Sequence, residues 1–284
     1  MLRPPHVPAL PPAGARPLLL VLGALLGLTP AGAARAASPM AGDWRFDVVV
    51  STQARVPILG DVRVQTQKVM LAHVDEQPDG SLVQQHTACA MYARSNRKLA
   101  ETWFPPSFVS AMRDQRYTIT AMPEAGGLHL HSQVSPVVIG WDPALAGGGM
   151  PRKLDDPGVI DADLDGEPGV TVHVRAPLFG QISIYMVQSS QTSIDGWAKD
   201  TDTIVGTAQL DHLDQRTLGA SNRLFATNVP LAPDDHDSWF RMVRVPTGTT
   251  CATLDAASPP LAGSPAADAA PAHDDVGASE ASAP

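Results

Sequence analysis

The sequence has little cysteine, few basic residues and no clear signature of nucleophilic or phosphate chemistry. Two of its 284 residues are cysteines, and 29 acidic residues outnumber 20 basic ones. No Gly-x-Ser-x-Gly nucleophile elbow occurs, and the glycine run at 147–149 lacks the Lys-Ser pair of a phosphate-binding loop. These absences weigh against an enzyme, although paired-carboxylate hydrolysis needs no fixed spacing.

Residues 1–36 have the pattern of a cleaved secretory signal peptide. An apolar run at 17–28 follows Arg3 and Arg16, and small residues suited to cleavage after Ala33 or Ala36 come next. The alternative is an uncleaved anchor, but the run is short for a bilayer. We therefore expect a periplasmic or extracellular protein. Its acidic charge argues against nucleic acid and anionic lipid as partners, and no transmembrane segment remains after signal removal.

The two cysteines, Cys89 and Cys251, both lie in the part expected to be exported. In an oxidising compartment an isolated pair is most simply one disulfide. Two unrelated buried thiols are the alternative. A bridge would join the first third of the domain to its last strand, and so would restrict the unfolded chain strongly.

Two boundaries divide the rest of the chain. Residues 37–254 have the size of one large domain. From 255 to 284 the chain is rich in Ala, Pro, Ser and Gly, with acidic residues and no Lys or Arg. Such a segment buries too little apolar surface to offset its ordering entropy, so we expect a disordered acidic tail.

The domain has the period of β-strands. Alternating or β-branched runs recur between Gly, Pro and Asp-Gly punctuation, and they predict about nine or ten antiparallel strands. The sheet should close into a barrel or fold into a sandwich. Only residues 105–115 have helical spacing, with Phe108, Val109 and Met112 behind a proline pair. This helix would seal one end of the barrel or act as a mobile gate.

The opening "GDW" at 42–44 resembles the Gly-x-Trp start of lipocalins and the wider calycin group. That resemblance implies a barrel whose floor is closed by Trp44, with Arg241 or Arg244 packed across it, and a ligand site at the mouth. A bridge from Cys89 to Cys251 is similar to a common lipocalin disulfide. The run "DGEPGVTV" also resembles uncharacterised exported bacterial proteins.

An acidic stretch, "DADLDGEPGV" at 161–170, is the clearest candidate site. The residues Asp161, Asp163 and Asp165 precede Gly166, as in the first half of a calcium loop, and the carbonyl of Glu167 could add a ligand. An EF-hand is excluded because Val172 stands where its bidentate Glu is needed. We expect a structural calcium site completed by another carboxylate, with Asp155 and Asp156 nearest, or a turn in which the aspartates cap backbone N–H groups.

A second metal pattern is weaker. His129 and His131 fall on one face of a strand, a spacing that can chelate a transition metal if a third ligand joins them. Two histidines on the wet face of a sheet are the commoner arrangement.

The sequence therefore predicts an exported binding or envelope-associated β-barrel that carries a small apolar ligand, with the acidic loop as a candidate calcium site. The ligand would enter the barrel mouth under residues 105–115. The alternatives are a periplasmic hydrolase or isomerase, and a structural partner protein that offers an outer sheet face.

Overall fold

The computed structural model describes residues 38–56, 60–97, 101–112, 114–133 and 136–257, with the backbone alone at 56 and 255–257. The predicted signal peptide lies outside the described residues. So does the predicted tail, except for its first three residues.

The described chain forms twelve strands and two short helices, which confirms the all-β prediction. The strands are β1 (Gly42–Val56), β2 (Gly60–Glu76), β3 (Leu82–Ser95), β4 (Glu101–Trp103), β5 (Gln115–Glu124), β6 (Gly127–Gln133), β7 (Val137–Ile139), β8 (Val170–Ala176), β9 (Gly180–Ala198), β10 (Thr203–Ala220), β11 (Ala232–Pro233) and β12 (Trp239–Arg244). Helix α1 (Pro106–Ala111) precedes β5, and α2 (Cys251–Ala257) follows β12. Helix α2 and the three-residue strand β4 were not predicted, because segments this short carry too few residues to show a period.

The sheet closes into a barrel and not a sandwich. Strands β10, β12, β1, β2 and β3 pair in that order with antiparallel ladders, and β9 pairs with β10. The remaining gap between β3 and β9 is bridged twice: by β5 and β6 beside the start of β3, and by β4 and β8 beside its end. Each route gives a ring of eight strands. The half closed by β5 and β6 is the lower half, and the other is the upper half.

Large side chains fill the lower half. Inward-facing residues alternate along every strand, and they form one fully buried cluster that includes Trp44, Phe46 and Phe240. Two glycines, Gly196 and Gly206, face each other across β9 and β10 under this cluster. A Cβ on Gly196 would lie 2.7 Å from the ring of Phe240, so the aromatic ring occupies the space that a side chain would need.

An arginine closes the barrel floor. The guanidinium of Arg244 lies 4.2 Å from the ring centroid of Trp44 and donates a hydrogen bond to the carbonyl of Ala41 at 2.9 Å. Of the two arginines that the lipocalin resemblance left open, Arg244 is therefore the one that packs across Trp44.

Helix α1 lies in the upper half between β4 and β5. Its Phe108 is 2% exposed and packs with Met112, Val170, Val172 and Met186. The helix is thus confirmed at 106–111, and its buried contacts favour the sealing role over the mobile gate. No helix in the described ranges is long and apolar enough to cross a membrane.

The predicted disulfide is confirmed. Cys89 on β3 is bonded to Cys251 at the start of α2, across 162 positions of sequence. The bridge holds the segment that follows β12 against the outer face of the barrel, where Leu254 is buried.

Candidate metal centre and barrel mouth

The acidic loop, residues 161–167, is a tight turn that leads into β8. Its ends are joined by a bridge between Asp161 and Gly169, with the amide of Ala162 donating to the Gly169 carbonyl at 2.9 Å. The backbone turns left-handed at Leu164, with φ 57°, and again at Gly166, with φ 90°. Leu164 is the only described non-glycine residue in that region of φ, so the loop is held in an unfavourable conformation by its surroundings.

The three aspartates converge within this turn. One carboxylate oxygen from each of Asp161, Asp163 and Asp165 lies within 4.8 Å of the others. Calcium binds oxygen at about 2.3–2.6 Å, so ligands around one ion are separated by distances of this size. The spacing therefore suits a single hard cation.

Asp163 is the buried member of the set, with 7% of its surface exposed. Its Oδ2 accepts a hydrogen bond from the amide of Thr171 at 3.0 Å, while its Oδ1 is buried without a partner among the described residues. The hydroxyl of Thr171 is likewise buried and unpartnered there. Burial raises the pKa of Asp163, and the charges of Asp165 and Asp161 add to that effect. A cation would neutralise this charge and could accept the free oxygen as a ligand.

Backbone capping explains the other two aspartates. Asp161 accepts hydrogen bonds from the amides of Asp165 at 3.2 Å and Gly166 at 3.0 Å, and Asp165 accepts one from Glu167 at 2.9 Å. These contacts match the turn that the sequence left open as an alternative. They do not explain Asp163, whose free oxygen is the observation that favours a metal.

The other acidic candidates lie apart from the three aspartates. The carboxylate of Glu167 acts on Tyr185, whose pKa is raised by burial first and by Glu167 second. Asp156 accepts the amides of Arg152 and Lys153 at 2.7 and 3.0 Å. The Glu167 carbonyl remains a predicted ligand.

The two histidines of β6 are held by carboxylates on the outer face. His129 contacts Glu124 at 3.0 Å and Asp195 at 3.1 Å, and His131 contacts the same Asp195 at 3.2 Å. The His129 ring stacks on Trp197 with centroids 4.4 Å apart. The hydrogen bond to Glu124 is the largest of the effects that raise the pKa of His129. In the described residues only the acidic loop gathers three metal-ligating groups closely enough for one ion.

A pocket of about 310 Å³ opens at the upper end of the barrel. We call it the barrel mouth; its lining residues are Val64, Ala93, Arg94, Ser95, Arg97, Glu101 and Thr102. By strand alternation Val64, Ala93 and Thr102 face inward, and all three are half-buried. The inner wall of the upper half is therefore less tightly covered than that of the lower half.

Exposed apolar residues surround this end of the barrel. The turn between β8 and β9 presents Leu178, 91% exposed, and Phe179, 47% exposed. Phe179 meets Phe225 edge-to-face at 5.2 Å, and the adjacent Leu224 is 73% exposed. We call these four residues the apolar rim. Sequence reasoning missed it, because its members come from two short connections with no periodic pattern.

A buried polar group lies inside the barrel and was also missed. The hydroxyl of Tyr117 is contacted by Gln84 at 2.9 Å and by His86 at 3.2 Å. Burial lowers the pKa of His86 to about 4, and the positive charge of Lys68 contributes to that shift. Burial also lowers the pKa of Lys68 to about 8 and raises that of Tyr117. A polar residue at every second position of a strand usually faces water, so alternation alone places these residues outside.

No family model matches the sequence, and comparison with curated proteins and solved structures finds no match either. The lipocalin resemblance therefore remains a prediction. Functional inference rests on the geometry of the acidic loop and of the barrel mouth.

Proposed function

We propose that this chain is a binding module that carries a small apolar ligand at the mouth of its barrel. The supporting observation is the apolar rim, in which Leu178 and Leu224 are among the most exposed large apolar side chains. Apolar groups gathered beside a pocket favour a ligand that removes them from water. The packed lower half leaves the upper half as the binding region.

The rim and the pocket lie at the same end of the barrel. Glu101, which lines the pocket, pairs with Arg175 on β8, and the turn that carries Leu178 begins two residues later. The amide of Ser221 donates to the carbonyl of Ser183 at 2.9 Å, which holds the segment before Leu224 against β9. A ligand entering the mouth would pass these side chains.

We also propose that the acidic loop binds a divalent cation, with calcium favoured by its all-oxygen ligands. The supporting observation is the buried, unpartnered Oδ1 of Asp163 beside two further carboxylates. The role is structural: the ion would fix the turn that leads into β8, because Asp163 is bonded to the amide of Thr171 within that strand.

Export belongs to the same proposal. The disulfide between Cys89 and Cys251 is compatible with an oxidising compartment. We propose a periplasmic or extracellular location, in which millimolar calcium and free small molecules would both be available to the domain.

Native mass spectrometry of protein purified from its own compartment tests the ligand role. We expect a retained small molecule in the wild type and its loss in the double variant Leu178→Ser, Leu224→Ser. The control is Leu145→Ser, which changes a leucine that is 63% exposed and lies away from the rim. Turnover of a substrate without retention would instead support the hydrolase, and retention in the rim variant would contradict the proposed entrance.

Isothermal titration calorimetry with calcium tests the metal role directly. We expect one site per chain in the wild type and none in the double variant Asp161→Asn, Asp163→Asn. Absence of heat in the wild type at millimolar calcium would refute the site.

A further inference from the structure

The charged side chain of Lys68 faces the interior of the barrel, above the floor that Arg244 closes. Lys68 on β2 pairs with Val48 on β1 and with Met91 on β3. Directly paired residues of antiparallel strands project to the same side of the sheet. Val48 belongs to the buried core cluster, and Met91 packs against the cluster around α1, so Lys68 lies between the two clusters inside the barrel.

Lys68 lies on the same inward face of β2 as Val64, which lines the barrel mouth. The residues Val64, Thr66 and Lys68 alternate along one face of β2, and Val64 lines the pocket. A strand rises about 3.3 Å per residue, so Lys68 lies about 13 Å below Val64 along the wall. Lys68 is half-buried as a whole residue, and the burial of its ammonium is enough to lower its pKa.

No ion pair or hydrogen bond joins the ammonium of Lys68 to another described residue. Lys68 therefore differs from Arg45 on the outer face of β1, because Arg45 forms an ion pair with Asp47 at 2.7 Å. Burial is the only cause of the lowered pKa of Lys68, and no carboxylate opposes it. With that pKa near 8, the ammonium is still mostly protonated at pH 7.

The groups around Lys68 leave its charge unbalanced. His86 on β3 is neutral at pH 7, because burial lowers its pKa to about 4. Tyr117 on β5 is also neutral, because burial raises its pKa. An ammonium surrounded by neutral groups is poorly solvated, and an anion brought beside it would offset that cost.

We infer that Lys68 is the anchor for the carboxylate of an amphiphilic ligand bound in the barrel mouth. The inference rests on the proposed ligand-carrying role and assigns the chemical class of the ligand. The carboxylate would descend to Lys68, and the apolar body would lie along Val64 and Ala93 toward the apolar rim. This orientation places the carboxylate beside the ammonium of Lys68 and the apolar body of the ligand against apolar side chains.

Titration calorimetry with octanoate and with octan-1-ol tests the inference on the full chain. The two probes share a chain length and differ in charge. We expect wild-type protein to bind octanoate at least tenfold more tightly than octan-1-ol. In Lys68→Met we expect octanoate to lose at least tenfold in affinity while octan-1-ol is unchanged. Lys199→Met is the control, since it removes the same charge from an exposed position.

The outcomes separate the anchor from the carrier role. If octanoate and octan-1-ol bind the wild type equally, the mouth carries apolar ligands but Lys68 is not an anchor. If neither probe binds, both proposals are overturned. Should Lys68→Met fail to fold, Lys68→Gln, which also removes the charge but keeps a polar side chain, is measured in its place with the same expected loss of octanoate affinity. An equal loss in Lys199→Met would also overturn the inference, because it would indicate a general effect of net charge.

Discussion

Whether Asp163 stabilises or destabilises the folded protein should depend on whether calcium is bound. In EDTA we expect Asp163→Asn to melt at or above the temperature of the wild type. The amide oxygen of Asn can still accept the Thr171 N–H, and the substitution removes a buried charge next to two others. In calcium we expect the order to reverse, because the wild type alone keeps the full ligand set.

The size of the calcium effect follows from linkage. At calcium about 100 times the dissociation constant, binding to the folded state alone adds about 2.7 kcal/mol to the free energy of unfolding. For a domain of about 200 residues, 1 kcal/mol corresponds to about 2–4 °C. The wild type should therefore gain about 5–10 °C. Extracellular calcium modules bind at about 10⁻⁴–10⁻³ M, so about 10 mM calcium is a suitable upper concentration.

The pH dependence of stability in EDTA is a second test of whether Asp163 destabilises the metal-free protein. The pKa of Asp163 is raised in the folded protein, so its contribution to stability is complete below the unfolded pKa and is lost as pH rises through the folded one. In EDTA the wild type should thus lose stability relative to Asp163→Asn between acid and neutral pH. Differential scanning calorimetry measures both effects.

The matched control is Asp114→Asn, which makes the same charge change on an exposed side chain outside the three-aspartate set. It should keep the whole calcium shift. A wild type that melts at the same temperature in calcium and EDTA would refute the metal site. Retention of the shift in Asp163→Asn would refute the role of that residue.

Three further predictions concern the fold and its surface. Replacing Cys89 and Cys251 by alanine should lower the free energy of unfolding by up to about 5 kcal/mol in the chain-entropy model, measured by urea denaturation. Gly196→Ala should cost about 1–3 kcal/mol, because its Cβ would clash with the carbonyl oxygen of Val205 and would lie 2.7 Å from the ring of Phe240. Gly149→Ala, which meets nothing within 4 Å, should be nearly neutral by the same assay. The stabilising contribution of His129 should be complete below its unfolded pKa and should fade as pH rises through the raised folded pKa, measured as the wild-type stability minus that of His129→Gln from pH 5 to 9.

Each of these has a contrary outcome. Equal stability of the oxidised wild type and the cysteine-free variant would show that the bridge does not restrict the unfolded chain. A Gly196→Ala protein as stable as Gly149→Ala would show that the barrel wall yields to a methyl group. A His129 contribution that grows with pH would contradict the carboxylate contacts as its source.

Strands with one solvent-exposed face and one buried face were predictable from the sequence. The runs that became β1, β2 and β9 alternate because side chains on a strand point to opposite sides, and the turns between them carry glycine and proline. The strand patterns at 180–194 and 202–213 predict the first parts of β9 and β10, and the structure extends these strands to Ala198 and Ala220. Polar residues in the second halves of these strands hid that extension.

Some features of the candidate sites were also predictable from the sequence, and others were not. The three aspartates are adjacent in sequence, so their convergence was predictable from local chain geometry, and so was the disulfide from the count of cysteines. Which aspartate is buried was not predictable, because Asp163 is covered by its contact with Thr171 on the following strand. The choice of Arg244 over Arg241 also needed the register of β12 against β1.

By itself the sequence determined the all-β class, the disulfide pair, the short helix α1 and the acidic loop, because each depends on local period or on residue count. Tertiary structure decided the closure of the sheet into a barrel, the exposure of the apolar rim and the inward position of Lys68. These depend on which strands pair and in what register, and a shift of one residue would turn Lys68 to the outside. Long-range pairing, and not local pattern, therefore creates the binding region.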